Sequence, residues 1–208
     1  MLAVPQHVPR LSITSSVKPG SSRHMLSHIL ADARPSFLEY EATMKADKRQ
    51  IPSAEVACSV FELLSTTPSL RRYTLTLQGR GWSRVDDRQA MMDSCVMRVA
   101  AASLTHLLIK DPNKSFATSA GYADGDRPHS QVVELVDGEL QSLATTLVKA
   151  SSTLEWIGFW LPGYPLHVYR AKPASAGSGE ESATVEGTLD KTEAERWAIF
   201  DATPVDGE

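Results

Sequence analysis

The sequence lacks most of the features by which function is assigned from residues alone. No apolar run reaches the roughly 18 to 20 residues that a membrane span requires, so we expect no membrane segment. A formal net charge of −4 argues against a polybasic protein that coats nucleic acid with its whole surface. The chain has only two cysteines, Cys58 and Cys95, which we interpret as reduced thiols of a cytoplasmic protein rather than as a disulfide.

Catalytic and cofactor-binding motifs are also missing. The sequence has no glycine-rich phosphate loop before a Lys-Ser or Lys-Thr pair, no dinucleotide fingerprint and no strand-to-helix turn that presents a nucleophilic serine. The two cysteines lack the spacing of a metal site. No internal repeat is evident. We therefore predict that the protein is not an enzyme and has no cofactor.

Composition divides the chain into four parts. Residues 1–20 contain three prolines and are expected to form an extended N-terminal arm. Residues 21–171 are expected to form the core domain. Residues 172–187 are a linker rich in Pro, Ala, Ser and Gly, because they carry too little apolar surface to fold alone. Residues 188–208 are expected to form a C-terminal helix and tail.

Hydrophobic periodicity predicts that most of the core is helical. The predicted helices span 22–33, 36–49, 53–66 and 87–110, and a further helix carries a heptad-like seam of Val133, Val136, Leu140, Leu143 and Leu147. A last helix starts at Asp190, with Glu193 completing a capping box. The segment 36–49 is ambiguous, because residues 38–44 also alternate as a strand would, and we favour the helix.

Two segments carry β signals. Residues 71–78 alternate between apolar and polar side chains, and the Gly-Arg-Gly that follows predicts a turn. Residues 153–171 are aromatic and β-branched on both sides of a turn at 161–164. The sequence therefore predicts an α+β fold, in which a predominantly helical single domain carries one or two short β-hairpins and extended N- and C-terminal arms.

The stretch 71–84 is the strongest candidate for a binding site, because it holds four arginines and no acidic residue. Its guanidinium groups can bind phosphates through paired hydrogen bonds, and its tryptophan can stack on a base. The predicted nucleic-acid contacts are Arg71, Arg72, Arg80, Trp82 and Arg84. The competing interpretation is a solvated hairpin whose arginines pair with acidic residues of this protein or of a neighbouring subunit.

A second candidate site is the loop 122–130, which contains Asp124, Asp126 and His129. Two carboxylates beside an imidazole can bind a cation or perform acid–base chemistry, although Gly, Asp and Pro are also ordinary turn residues. His24 and His28 stand four residues apart on a predicted helix and could share a metal ion. Since no third ligand lies nearby, we interpret them as partly exposed helix histidines.

These observations lead to the hypothesis of a non-enzymatic, self-assembling structural protein. The class that fits best is a viral-type coat, capsid or nucleoprotein subunit, whose arms clamp neighbouring copies and whose Arg-rich hairpin contacts RNA. Its partners would be further copies of itself and RNA, in the host cytoplasm or in a virion. Two alternatives stay open: a small metal-dependent or acid–base enzyme that uses the 122–130 loop, and a protein–protein adaptor that presents the 133–147 seam to a partner helix.

Overall fold

The computed structural model describes residues 8–17, 23–45, 51–112, 129–162, 164–172, 183–188 and 190–201. The elements in chain order are β1 (Arg10–Ser16), α1 (Arg23–Ala33), β2 (Phe37–Thr43), α2 (Ala54–Thr66), β3 (Arg72–Gln78), a 3₁₀ turn (Trp82–Arg84), α3 (Arg88–Ala101), β4 (His106–Lys110), α4 (His129–Ala150), β5 (Trp156–Trp160), β6 (His167–Lys172), β7 (Thr184–Gly187) and α5 (Glu193–Ile199). Within these ranges no helix combines the length and the apolarity needed to cross a bilayer.

The seven strands form one mixed sheet whose spatial order is the order of the chain. Strands β1 to β5 run parallel, and β6 and β7 continue the sheet in antiparallel fashion. Each connection between neighbouring parallel strands contains one helix, and such crossovers are almost always right-handed. Four successive crossovers in one direction therefore place α1 to α4 on the same face of the sheet.

The main core lies between the sheet and these four helices. Alternate residues of the strands point into this core because side chains of a strand alternate between its two faces. The buried strand residues include Leu38, Tyr40, Tyr73, Leu75, Leu107, Ile109, Ile157 and Phe159. The helices contribute Leu30 from α1, Phe61 from α2, Cys95 from α3 and Leu147 from α4, all of them fully buried.

A repeated spacing of buried residues underlies the parallel strands. Three strands share this pattern: a leucine two residues before the strand is followed by apolar residues three and five positions later. The three copies are Leu70-Tyr73-Leu75, Leu104-Leu107-Ile109 and Leu154-Ile157-Phe159. The strand pairing aligns the second and third positions of all three copies. The three copies share a spacing of buried positions and not a repeated sequence, because their residue types differ and the helices and loops between them have unequal lengths.

The opposite face of the sheet has a smaller core under α5. Trp197 and Phe200 pack there against Leu108, Leu166 and Val168, which come from β4, β6 and the turn that enters β6. Helix α5 begins with a capping box of Thr192 and Glu195, so the predicted start at Asp190 is wrong by two to three residues.

The predicted fold class is wrong. The described residues form an α/β fold with a seven-stranded mixed sheet and five helices, not a mostly helical domain with one or two hairpins and extended arms. Residues 10–16, predicted as part of the N-terminal arm, pair with β2 along their whole length, and residues 184–187 of the predicted linker form β7. Of the predicted hairpins, only the one formed by β5 and β6 is confirmed. In its turn the Tyr164 N–H donates to the Leu161 carbonyl at 3.1 Å.

Two predicted helices are corrected by the sheet. Residues 37–43 of the ambiguous segment are β2, because every second side chain enters the core. The predicted helix 87–110 is α3 followed by β4, and the chain leaves the helix after Ala101.

The segment 71–84 is not a hairpin, since β3 is a central strand with parallel neighbours on both sides. Helices α1, α2 and α4 are confirmed.

Candidate binding site

One face of the sheet is polar over β1 to β3, and no described helix covers it there. Parallel strands are normally buried on both faces, so an uncovered polar stretch is unusual. The strand pairing arranges its side chains in two rows, Ser12-Glu39-Thr74 and Thr14-Glu41-Thr76-Lys110. We call these seven residues the open face. They line a pocket of about 210 Å³.

Glu39 is the best-anchored residue of the open face. Its carboxylate accepts hydrogen bonds from Arg10 Nη2 at 2.7 Å and from Ser12 Oγ at 2.6 Å. Partial burial by itself raises the pKa of Glu39, but these two hydrogen bonds and the charges of Arg10 and Lys110 outweigh it and lower the pKa. Glu39 is therefore an ionised, structurally engaged carboxylate at neutral pH.

Lys110 forms the side of the pocket nearest to α5. Its Nζ lies 5.3 Å from the centre of the Trp197 ring, a distance typical of a cation–π contact. Burial lowers the pKa of Lys110, while the charge of Glu39 acts in the opposite direction. The ammonium group is thus held between an acidic side chain of β2 and an aromatic ring of α5.

The amino end of the open face is closed by side chains. The guanidinium group of Arg10 lies 4.5 Å above the ring of Phe37, and Arg72 forms an ion pair with Asp201 just after α5. His106 meets the ring of Phe200 edge to face, with 6.2 Å between the ring centres. The polar side chains at this end are therefore engaged with one another, and the groups without a described partner lie in the rows nearer the carboxyl ends of the strands.

Several polar groups of the open face have no partner among the described residues. Thr14, Glu41 and Thr76 make no side-chain hydrogen bond or ion pair within that part of the chain. Thr74 is only 4% exposed, and its hydroxyl is equally unpartnered there. These hydroxyl and carboxylate groups line the pocket and are therefore available to form hydrogen bonds with a ligand that enters it.

The predicted nucleic-acid residues do not form one cluster. Arg71 and Arg72 lie at the amino end of β3, whereas Arg80 and Arg84 follow its carboxyl end, roughly 20 Å away for a seven-residue strand. Arg71 Nη1 donates to the carbonyl groups of the loops beside it, including Ser103 at 3.3 Å. Arg72 is engaged with Asp201. Arg80 and Arg84 are exposed.

Trp82 does not offer a stacking surface. The residue is fully buried, and its indole Nε1–H donates to the Ala42 carbonyl at 3.0 Å. The turn before it is tight, because Gly79 has φ of +86° and a side chain at that position would lie 2.4 Å from the Met44 carbonyl oxygen. The aromatic part of the predicted nucleic-acid site is therefore core.

The alternative site cannot be located in the same way. Asp124 and Asp126 lie outside the described residues; His129 is the first residue of α4, and its side chain also lies outside them. The same holds for the side chain of His24, while His28 is exposed on α1.

In the predicted seam, Leu140, Leu143 and Leu147 are buried in the main core, so that part of the seam is not available to a partner helix. The side chains of Val133 and Val136 fall outside the described residues.

Sequence reasoning missed one polar pair, in which a buried histidine contacts a partly exposed aspartate. His167 of β6 contacts Asp137 of α4, with 2.6 Å between Nδ1 and Oδ1, and His167 is only 4% exposed. Its Nε2 has no hydrogen-bond partner among the described residues. Burial lowers the pKa of His167, Asp137 opposes this and Arg196 reinforces it. The pair joins α4 to the antiparallel part of the sheet.

Sequence reasoning also missed the open face, although a signal for it was present. Polar residues occupy every second position of 10–16 and of 39–43, which is the pattern of a strand with one solvated side. Recognising this pattern required the two segments to be identified as strands. No protein family, curated protein or solved structure matches the chain, so the geometry of the open face is what bears on its function.

Proposed function

We propose that the protein is a protein-binding adaptor whose partner docks on the open face. The observation that carries this proposal is the polar face of β1 to β3, which no described helix covers. Its side chains at Thr14, Glu41, Thr74 and Thr76 have no partner among the described residues. Parallel strands rarely leave such a face to solvent. A partner that covers it would restore the two-sided burial typical of these strands.

The architecture supports the same proposal. Successive strand–helix units stack in one direction. The buried apolar residues of each copy stand at the positions that leucines occupy in the L-x-x-L-x-L pattern of leucine-rich-repeat proteins, but only the first position is leucine in all three copies. Solenoids of this kind place their strands along one extended surface and use it for binding. The likeness is one of arrangement and spacing. It favours an interaction surface over a catalytic cleft.

The other hypotheses have less support. A coat or nucleoprotein subunit remains a prediction, but its four arginines are divided between two ends of β3, and residues 10–16 are part of the sheet rather than of a free arm. An enzyme built on the 122–130 loop also remains a prediction. The cytoplasm remains the proposed compartment, supported by two free thiols at Cys58 and Cys95.

A peptide selection tests the adaptor proposal even while the partner is unidentified. A random peptide library would be selected on the full-length protein, and the enriched peptides would then be tested on two variants. Thr76→Arg places a long charged side chain on the open face, whereas Ser142→Arg places the same side chain on the exposed side of α4. We expect binding to Ser142→Arg and loss of binding to Thr76→Arg. Failure to enrich any peptide, or equal binding to both variants, would count against the open face.

A further inference from the structure

The two acidic residues of the open face have different surroundings. Glu39 and Glu41 lie two residues apart on β2 and point to the same side of the sheet. Glu39 is matched by the guanidinium group of Arg10 and by the hydroxyl of Ser12, which pairs with it across the strands. Glu41 has Thr14 as the corresponding neighbour on β1, but no described cation contacts it.

Lys110 is not a counter-charge for Glu41. It shares a row with Glu41, yet Thr76 on β3 lies between them. The carboxylate whose charge acts on Lys110 is Glu39, and the ammonium group faces the ring of Trp197. Glu41 thus remains a carboxylate on a half-buried surface without a counter-charge from the described residues.

The hydroxyl groups around Glu41 specify the ligand further. Thr14 and Thr76 flank it in its own row, and the buried Thr74 lines the same pocket. Each hydroxyl can accept a hydrogen bond, and none has a described partner. A guanidinium group carries five N–H donors in one plane, two of which can pair with a carboxylate while the others reach neighbouring acceptors.

The size of the pocket limits what enters it. A volume of about 210 Å³ accommodates the end of one side chain and not a folded segment. We infer that the open face recognises an arginine side chain of its partner, with Glu41 as the paired carboxylate and Thr74 and Thr76 as additional acceptors. This inference rests on the proposed adaptor function and names the partner chemistry: a peptide segment that presents arginine.

Amide chemical-shift titration of the full-length protein tests this inference directly. The probes are three capped tripeptides, Gly-Arg-Gly, Gly-Lys-Gly and Gly-citrulline-Gly; citrulline keeps the shape of arginine and removes its charge. We expect the arginine peptide to shift the amides of Thr14, Glu41 and Thr76 most strongly. The lysine peptide should bind more weakly, and the citrulline peptide should cause no saturable shift. Equal shifts with all three peptides would overturn the inference.

A pair of variants separates binding from folding. Glu41→Gln retains size and hydrogen-bonding capacity but removes the charge, and we expect the affinity for the arginine peptide to fall by about 10- to 100-fold. Glu155→Gln makes the same change at an exposed position outside the pocket and should bind as the wild type does. Unchanged affinity in a folded Glu41→Gln protein would refute the role of Glu41.

The selected peptides distinguish this inference from the adaptor proposal. One outcome is that the peptides bind the wild type and not Thr76→Arg, but either lack arginine or bind Glu41→Gln as tightly as the wild type. The adaptor proposal then stands and the arginine site is wrong. If no selected peptide distinguishes Thr76→Arg from the wild type, both fail.

Discussion

At Glu39, the charge interactions of the open face can be measured through their effect on the free energy of unfolding. Its pKa is lowered in the fold, so its carboxylate stabilises the protein above its unfolded-state pKa and loses this contribution as the pH falls through the lowered value. We expect Glu39→Gln to reduce the free energy of unfolding by about 0.5–1.5 kcal/mol at pH 7. The difference between variant and wild type should shrink as the pH falls, and it should disappear once the carboxyl group is protonated in both the folded and the unfolded state.

Urea unfolding at several pH values measures this difference. Glu186→Gln is the matched control, because Glu186 pairs with Lys172 at 2.9 Å while both side chains are more than half exposed. Such exposed pairs contribute roughly 0–1 kcal/mol. A Glu39→Gln protein that loses no more stability than the control at pH 7 would contradict the assigned role of Glu39.

The two cysteines should differ in reactivity. Cys95 is fully buried in the main core, and burial raises its pKa to about 12, so its reactive thiolate is scarce at neutral pH. Cys58 is only half-buried. We expect a thiol reagent to modify Cys58→Ser only after unfolding, whereas Cys95→Ser should react in the native state. Rapid labelling of native Cys58→Ser would show that Cys95 is accessible.

Residue types in a sequence indicate charge but not direction. The composition of 71–84 correctly locates four arginines and a tryptophan close together in the chain. It does not show that Trp82 turns back under β2, which follows from the turn at Gly79 and from the hydrogen bond to Ala42. It also does not show that the strand between Arg72 and Arg80 carries the two pairs of arginines to opposite ends.

At the scale of elements, the seating of α5 on the sheet depends on one glycine. A side-chain carbon at Gly158 of β5 would lie 2.8 Å from the ring of Phe200 and 2.9 Å from Leu108. We expect Gly158→Ala to destabilise the protein by about 1–3 kcal/mol, as over-packing does, and to speed hydrogen exchange in α5 first.

Gly187→Ala is the control for this change, since a side chain at Gly187 of β7 would meet nothing within 4 Å. Thermal unfolding of both variants, together with hydrogen exchange of α5, provides the comparison. Equal melting temperatures for the two variants would mean that α5 can shift without cost and that the contact with Gly158 does not position it.

Sequence periodicity identifies a helix or strand only where its buried side is apolar and its exposed side is polar. Helix α2 was predictable because its apolar residues follow a helical period and Ser53 caps its first turn. Strand β4 was not, because a central strand with Leu107, Leu108 and Ile109 all buried shows no alternation and extends the pattern of α3. Its pairing with β3 and β5 comes from distant residues that a local pattern does not contain.

For the whole molecule, the adaptor and coat hypotheses predict different assemblies. The adaptor proposal requires no contact between copies, so we expect the untagged protein to elute with the mass of one chain and without absorbance from nucleic acid. Size-exclusion chromatography with light scattering, at low and high salt, measures both properties. A large particle with nuclease-sensitive absorbance at 260 nm would favour the coat hypothesis, and Arg80→Ala with Arg84→Ala should then weaken it.

The one-sided layering of α1 to α4 has a geometric consequence for any partner. Neighbouring strands lie about 4.8 Å apart, whereas packed helices need roughly 8–10 Å between their axes. When each helix accompanies one strand on the same side, the helices require the longer arc. We therefore expect the sheet to curve with the strands on the inner radius, which would make the open face concave. A convex partner, such as a helix or a protruding loop, would fit this curvature better than a flat surface.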